Sequence, residues 1–289
     1  MIKLLRANLL RISKSITFWI FVALYTLYPI IIALIEIQTY EPITSDKMLS
    51  LNYGVEFFPM QGVIIALLCS ILFNADFSNG TLRNKVFIGL SRSKIYLTNL
   101  LTMIIISLAL SVIYIIIFFA LGMPLLGKFT SSASTIIWMI VDGSLMLIAY
   151  SAIMTLIVMT CKNPIASLII SALVITLGAL LSYYMDYIVS IPEVITTLSE
   201  NQFGETIWVQ IPNENVPSQA VKAFCRFITD LLPSGQSFQL SSIGYTHGWT
   251  MDMYSRGGLH YWQMALYSLG IIGATSGIGI LIFKKNNIK

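Results

Sequence analysis

The 289-residue chain is 56% hydrophobic and only 10% charged, with a mean hydropathy of +0.81. Soluble domains carry roughly a quarter charged residues, so the composition excludes an ordinary soluble protein and leaves room for about six helical spans of ~20 residues. The net charge of +4 would suit nucleic acid, but the cations cluster beside apolar runs rather than on one soluble face, and no nucleic-acid partner is expected.

The chain opens with "MIKLLRANLLRISK", which mixes Ile2, Leu5, Leu9 and Ile12 with Lys3, Arg6, Arg11 and Lys14. Residues 1–14 therefore suit a basic amphipathic helix on the anionic cytoplasmic leaflet, with a bare topology signal as the alternative. The run Ile16–Ile35 is too long for a signal-peptide core and has no small-x-small cleavage site after it, so it reads as an uncleaved first span. Pro29 should kink it. Further spans are expected at Phe57–Phe73, Leu97–Leu121, Thr135–Thr160, Ile165–Met185 and Tyr261–Phe283. The expected fold is an all-α, six-helix, multi-pass transmembrane domain over residues 1–289.

Charge sets the orientation. With a cytoplasmic N-terminus, 12 of the 17 Lys/Arg residues fall inside and 11 of the 13 acids fall outside. The opposite topology would put most cations on the wrong side, so both termini are expected in the cytoplasm. Three outer loops follow: acidic 36–56, short 122–134 and a long extracellular region at 186–260. Within the last, Pro217 opens a helical pattern in which Val221, Phe224, Ile228 and Leu231 form one stripe and Lys222, Arg226 and Asp230 another. That helix could lie on the outer membrane interface or pack on a small core within the loop. Leu232-Pro233-Ser234-Gly235 then breaks the pattern.

Catalytic constellations are missing from the sequence pattern. "GMPLLGKFT" (122–130) approaches a phosphate loop, but Phe129 stands where a magnesium-binding hydroxyl is needed, and the strand–loop–helix setting is wrong. His247 and His260 lie outside the spans, and Cys69, Cys161 and Cys225 have no metal or disulfide spacing. No metal, no cofactor and no enzyme site is expected in this chain. Asp142 is the one acid well inside a span, an expensive placement that suggests either a group facing a translocation pathway or a carboxyl bonded to neighbouring helices. In the last span, Gly273-x-x-x-Gly277 permits close helix approach, within the subunit or across a dimer.

Between spans two and three lies "DFSNGTLRNKVFIGLSRSKIYLTN" (76–99), with Arg83, Lys85, Arg92 and Lys94 against Asp76. Asp76, Ser78 and Asn79 can cap a short helix, Gly80-Thr81 can start it, and Ser91 can cap the next. A loop that only enforced topology would not need Asp76-x-x-x-Gly80-Thr81-Leu82-Arg83.

This element resembles the cytoplasmic loop of ABC-2 family permeases, the membrane subunits of ATP-binding-cassette exporters. Their acid-x-x-x-Gly-Thr/Ser-Leu element appears here as "DFSNGTLRNK", and the start of their third span as "SRSKIYLTN". Asn99 departs from a frequent lysine. The N-terminal basic helix, the long outer region and "LPSGQ" at 232–236 look similar too. The resemblance implies that residues 74–96 form a coupling loop whose short helix docks a separate ATPase, with Asp76, Asn79, Gly80, Thr81, Leu82, Arg83, Lys85 and Arg92 at that interface. It further implies two ATPase subunits carrying ATP and Mg²⁺, and a second permease copy, identical or paralogous. The setting would be the lipid of a bacterial plasma membrane. The exported substrate would be an amphipathic peptide, bacteriocin or toxic compound. A stand-alone sensor or scaffold binding a ligand through residues 186–260 is the competing expectation.

Overall fold

The computed structural model describes residues 1–36, 45–54, 58–129, 131–161, 163–200, 206–242 and 260–285. Among them the chain is mostly helical. The N-terminal half holds α1 (Ile2–Ser13), α2 (Ile16–Glu36), α3 (Ser45–Leu51), α4 (Phe58–Ser78), α5 (Thr81–Phe87) and α6 (Arg92–Ile117). A π-helical turn, Phe118–Gly122, carries α6 into α7 (Met123–Leu126). The long helices α8 (Ala133–Cys161) and α9 (Pro164–Ser190) lead to an antiparallel hairpin, β1 (Val194–Glu200) with β2 (Thr206–Pro212). Then come α10 (Gln219–Leu231), α11 (Pro233–Ser242) and α12 (Tyr261–Lys285). The hairpin departs from the all-α expectation. Its strands are rich in β-branched residues and aromatic Trp208, which favour a pleated surface.

Local chemistry explains the long helices. Ser91 accepts the Lys94 amide at 3.4 Å to start α6, and Asn163 accepts Ile165 and Ala166 amides at 2.9 and 3.2 Å, with Pro164 opening α9. Among the described residues, five helices are long and apolar enough to cross a membrane: α2, α6 with its extension to Leu121, α8, α9 and α12. The remaining expected span, α4, has a shorter apolar stretch, Gln61–Phe73. It packs against α8 and α9 and buries Gln61, Ser70 and Asp76. Protein surrounds much of this helix, so it needs less lipid-facing apolar surface.

α8 is the hub, in contact with α4, α6, α9, α11 and α12. Met139, Met146, Met154 and Met159 are buried along it beside Ala149, Ala152 and Ser151. Small and unbranched side chains let the neighbouring backbones approach closely.

Two polar segments expected in outer loops are instead buried at one end of the bundle. In the first, α3 and the residues after it, Ser45, Asp46, Ser50, Asn52 and Tyr53 are all buried. Asp46 accepts the Ser131 amide at 3.0 Å, and the Tyr114 hydroxyl donates to the Met48 carbonyl at 2.8 Å. Asn52 joins Tyr25, Gln61 and Ser111 in one network, with Asn52 Nδ2 donating to Ser111 Oγ at 2.9 Å. The second segment is α11. Its Ser237 donates to the Tyr53 carbonyl at 2.8 Å, its Gln236 to Met264 O at 3.1 Å, and Ser268 donates to Gln236 Oε1 at 2.8 Å. Satisfied internally, both polar segments can leave water.

Helix α10 rests against the bundle rather than on a core confined to its own loop. It packs on α9, α11 and α12, yet leaves Val221, Phe224 and Phe227 exposed. The break at Leu232 is real but short, because α11 resumes at Pro233. The tight return needs Gly235: a Cβ there would strike the Thr229 backbone. Gly235→Ala should therefore destabilise the purified chain by about 2–3 kcal/mol, as overpacking against unyielding backbone does. An SDS-unfolding midpoint unchanged from wild type would refute this.

Candidate functional site

The end of the bundle opposite α10 and α11 brings the basic 76–99 stretch together with the N-terminus. α4 runs beyond its apolar part to Ser78, so Asp76 belongs to a helix rather than to a loop. Gly80, at φ 66°, then reverses the chain in the left-handed region that glycine tolerates, and α5 begins at Thr81. Gly89, at φ 85°, makes a second reversal before Ser91 caps α6.

Asp76 is 1% exposed and gathers three donors. Arg11 of α1 donates to Oδ1 at 2.5 Å, Thr81 to the same oxygen at 2.9 Å, and Lys85 to Oδ2 at 2.6 Å. Arg11 also reaches the Leu72 carbonyl at 3.1 Å. Burial alone would push the Asp76 carboxyl up, but the bonds and charges of Arg11 and Lys85 outweigh it and hold the group below the usual carboxylate range. One carboxylate thus ties together α1, α4 and α5.

A second, neutral clasp lies deeper. Asn8 of α1 donates to Asn99 Oδ1 at 3.0 Å and to Thr102 Oγ1 at 3.3 Å, all buried. Asn99 therefore serves an internal contact between α1 and α6. Ile12 is buried beside this face while Ile2 and Leu10 are exposed, so α1 has one face on protein and another open to an interface.

The expected interface residues separate into two groups. Asp76 and Leu82 are buried, Thr81 and Lys85 turn back to Asp76, and Arg92 donates to the Lys284 carbonyl of α12 at 2.7 Å. Asn79 and Arg83 face outward, and Gly80 shapes the turn. The sequence reading missed the most exposed part of α5 and its end, Phe87 at 76% and Ile88 at 80%. The Arg83 guanidinium sits 5.6 Å from the Phe87 ring centre. The missed signal was an apolar pair inside a basic stretch. The inner residues hold α5 in place, and Arg83, Phe87 and Ile88 form its outward surface.

Asp142 lies elsewhere, on α8 and 1% exposed. Neither carboxyl oxygen has a hydrogen-bond partner among the described residues. The adjoining Gly143 lies so close beneath the Tyr53 ring that no side chain fits. Because an unpartnered buried charge is costly, Asp142→Asn should unfold within about 1 kcal/mol of wild type or be more stable, whereas Asp142→Lys should lose about 3 kcal/mol or more. SDS unfolding of the two purified variants checks this, and a large loss in the asparagine variant would show that the carboxylate itself is needed.

Among the described residues nothing lies within 4 Å of a Cβ placed at Gly273 or Gly277. The close contact on α12 is made instead at Gly279, against Tyr96. Among the described residues, no group of three or more His, Cys, Asp and Glu residues could hold a metal ion.

A protein-family profile described as "ABC-2 family transporter protein" matches residues 4–179. The match takes in the Asp76 clasp, α5, Asn99 and Asp142, and stops within α9. No curated protein matches the chain significantly.

Proposed function

Because the chain belongs to the ABC-2 transporter family, we propose that it is the permease subunit of an ATP-driven exporter and that α5 is its coupling helix. The observation that carries this reading is the division of labour on α5: Thr81 and Lys85 are fastened to Asp76, while Arg83, Phe87 and Ile88 face outward. A helix fixed at its root and apolar at its tip is suited to receiving force from a partner. In this reading the α1–α5 end faces the cytoplasm, as the clustered cations favour. ATP and Mg²⁺ belong to two separate ATPase subunits.

A second permease copy completes the pathway. The open Gly273–Gly277 face of α12 could meet that copy or lipid. Asp142 would join the pathway only in a state where α8 parts from its neighbours. An amphipathic peptide, bacteriocin or toxic compound as substrate, and a bacterial plasma membrane as the setting, rest on family analogy.

The test is co-purification from a membrane in which the chain is expressed with a cassette ATPase. Retention of the ATPase by the wild-type chain, lost when the α5 tip is made acidic, supports the reading. A ligand sensor working through the 186–260 region would instead signal without any ATPase.

A further inference from the structure

We infer that the cleft between the β1–β2 hairpin and α10 binds the headgroup of a zwitterionic aminophospholipid, phosphoethanolamine in type, from the leaflet on that side. The cleft holds about 770 Å³, within the ~300–1,000 Å³ usual for small-ligand sites. Ser190 and Ile191 at the end of α9, Glu193 before β1, Gln210 of β2, and Lys222 and Arg226 of α10 line it.

Its depth follows from the aromatic residues around it. Tyr183, Tyr184 and Tyr187 are exposed on the last turns of α9, as are Trp208 on β2 and Phe224 and Phe227 on α10. Such rings settle at the boundary between hydrocarbon and headgroups. The cleft starts at Val189, about 3 Å along the helix from Tyr187, which places its mouth among the headgroups.

Its charge pattern selects among them. Lys222 and Arg226 stand one helical turn apart on α10. Lys222 Nζ donates to the Ile191 carbonyl at 2.8 Å, and an ammonium has further donors to offer a phosphate. Glu193 is steadied by Gln219 Nε2, 3.2 Å from its Oε1. Phosphate across Lys222 and Arg226 would place a primary ammonium toward Glu193. A purely anionic headgroup leaves Glu193 facing negative charge, and a quaternary ammonium cannot donate to it. Val194, exposed and lining the cleft, offers the acyl chains apolar contact at its mouth.

The site rests on α9 crossing the membrane and not on the transport reading. The experiment is native mass spectrometry of the purified full chain, without any ATPase, from micelles holding equal phosphatidylethanolamine, phosphatidylglycerol and phosphatidylcholine. The wild-type chain should retain phosphatidylethanolamine over either competitor by roughly tenfold, the equivalent of one charge-assisted hydrogen bond. Glu193→Gln should remove the preference over phosphatidylcholine, and Lys222→Glu with Arg226→Glu should remove retention, with unchanged melting as the folding control. Equal retention of all three lipids would overturn the proposal. So would a wild-type preference in either variant, or soluble phosphoethanolamine binding as tightly as the lipid.

Discussion

Replacing Asp76 by alanine should unfasten α1 and α5 together and lower the stability of the purified chain by about 3 kcal/mol. Removing one partner of a buried ion pair costs about 3–5 kcal/mol when the remaining charge stays buried. Here the stranded cations are unequal: the Arg11 side chain is 39% exposed and can turn to water, whereas Lys85 is 15% exposed. The lower end of the range is therefore expected, and Arg11→Ala alone should cost less than Asp76→Ala.

Asp76→Asn should fall between wild type and the alanine variant, because the amide oxygen can still accept the Thr81 hydroxyl while the charge is gone. SDS unfolding measures all three, and an Asp76→Ala midpoint equal to wild type would sink the clasp. The pH dependence has a definite sign. A carboxyl whose folded value lies below its unfolded value of about 4 contributes stability above that value and loses it as pH falls through the folded value. Wild type and Asp76→Ala should therefore differ by a constant amount from pH 5 to 8 and converge below about pH 4.

The clasp was half legible in the sequence. Asp76, Gly80 and Thr81 are legible as the start of a short helix, since an acid can cap it and a glycine can turn the chain into it, but nothing in the sequence carries α4 on through Asp76. Arg11 could not be assigned to Asp76, because the two are separated by 65 positions and only the docking of α1 beside α4 joins them. Asn8 is hidden for a similar reason. On an apolar–basic stripe it looks like an exposed residue, yet its amide fits the buried Asn99–Thr102 edge of α6.

The spans were the easiest elements to read, since composition and length nearly suffice. The buried α3 and α11 were the hardest. Sequences such as "SDKMLSLN" and "PSGQSFQLSS" have the polarity of solvated loops. What makes them interior is the supply of partners from elsewhere: Ser131, Tyr114 and Ser111 for the first, Tyr53, Met264 and Ser268 for the second. The same limit explains Gly273 and Gly277. Their spacing announces close packing, but the fold turns that face outward and uses Gly279 for the internal contact.

The outward tip of α5 should decide whether the chain engages an ATPase. Phe87→Asp combined with Ile88→Asp removes two large apolar side chains that are exposed at 76% and 80%. Little intramolecular burial is lost, so the melting of the chain alone should stay near wild type. If the two side chains are buried against a partner, each contributes about 1.5–3 kcal/mol, and the double variant should weaken ATPase association by at least 100-fold. Arg83→Glu should act differently. It removes the cation beside Phe87 and reverses a charge at the same surface, so its effect should shrink as salt is raised. Pull-down of a cassette ATPase, read together with ATP turnover of the complex, separates the two mechanisms. An acidic tip that still holds the ATPase at wild-type strength would mean that α5 is not the docking element, whatever the fate of the Asp76 clasp behind it.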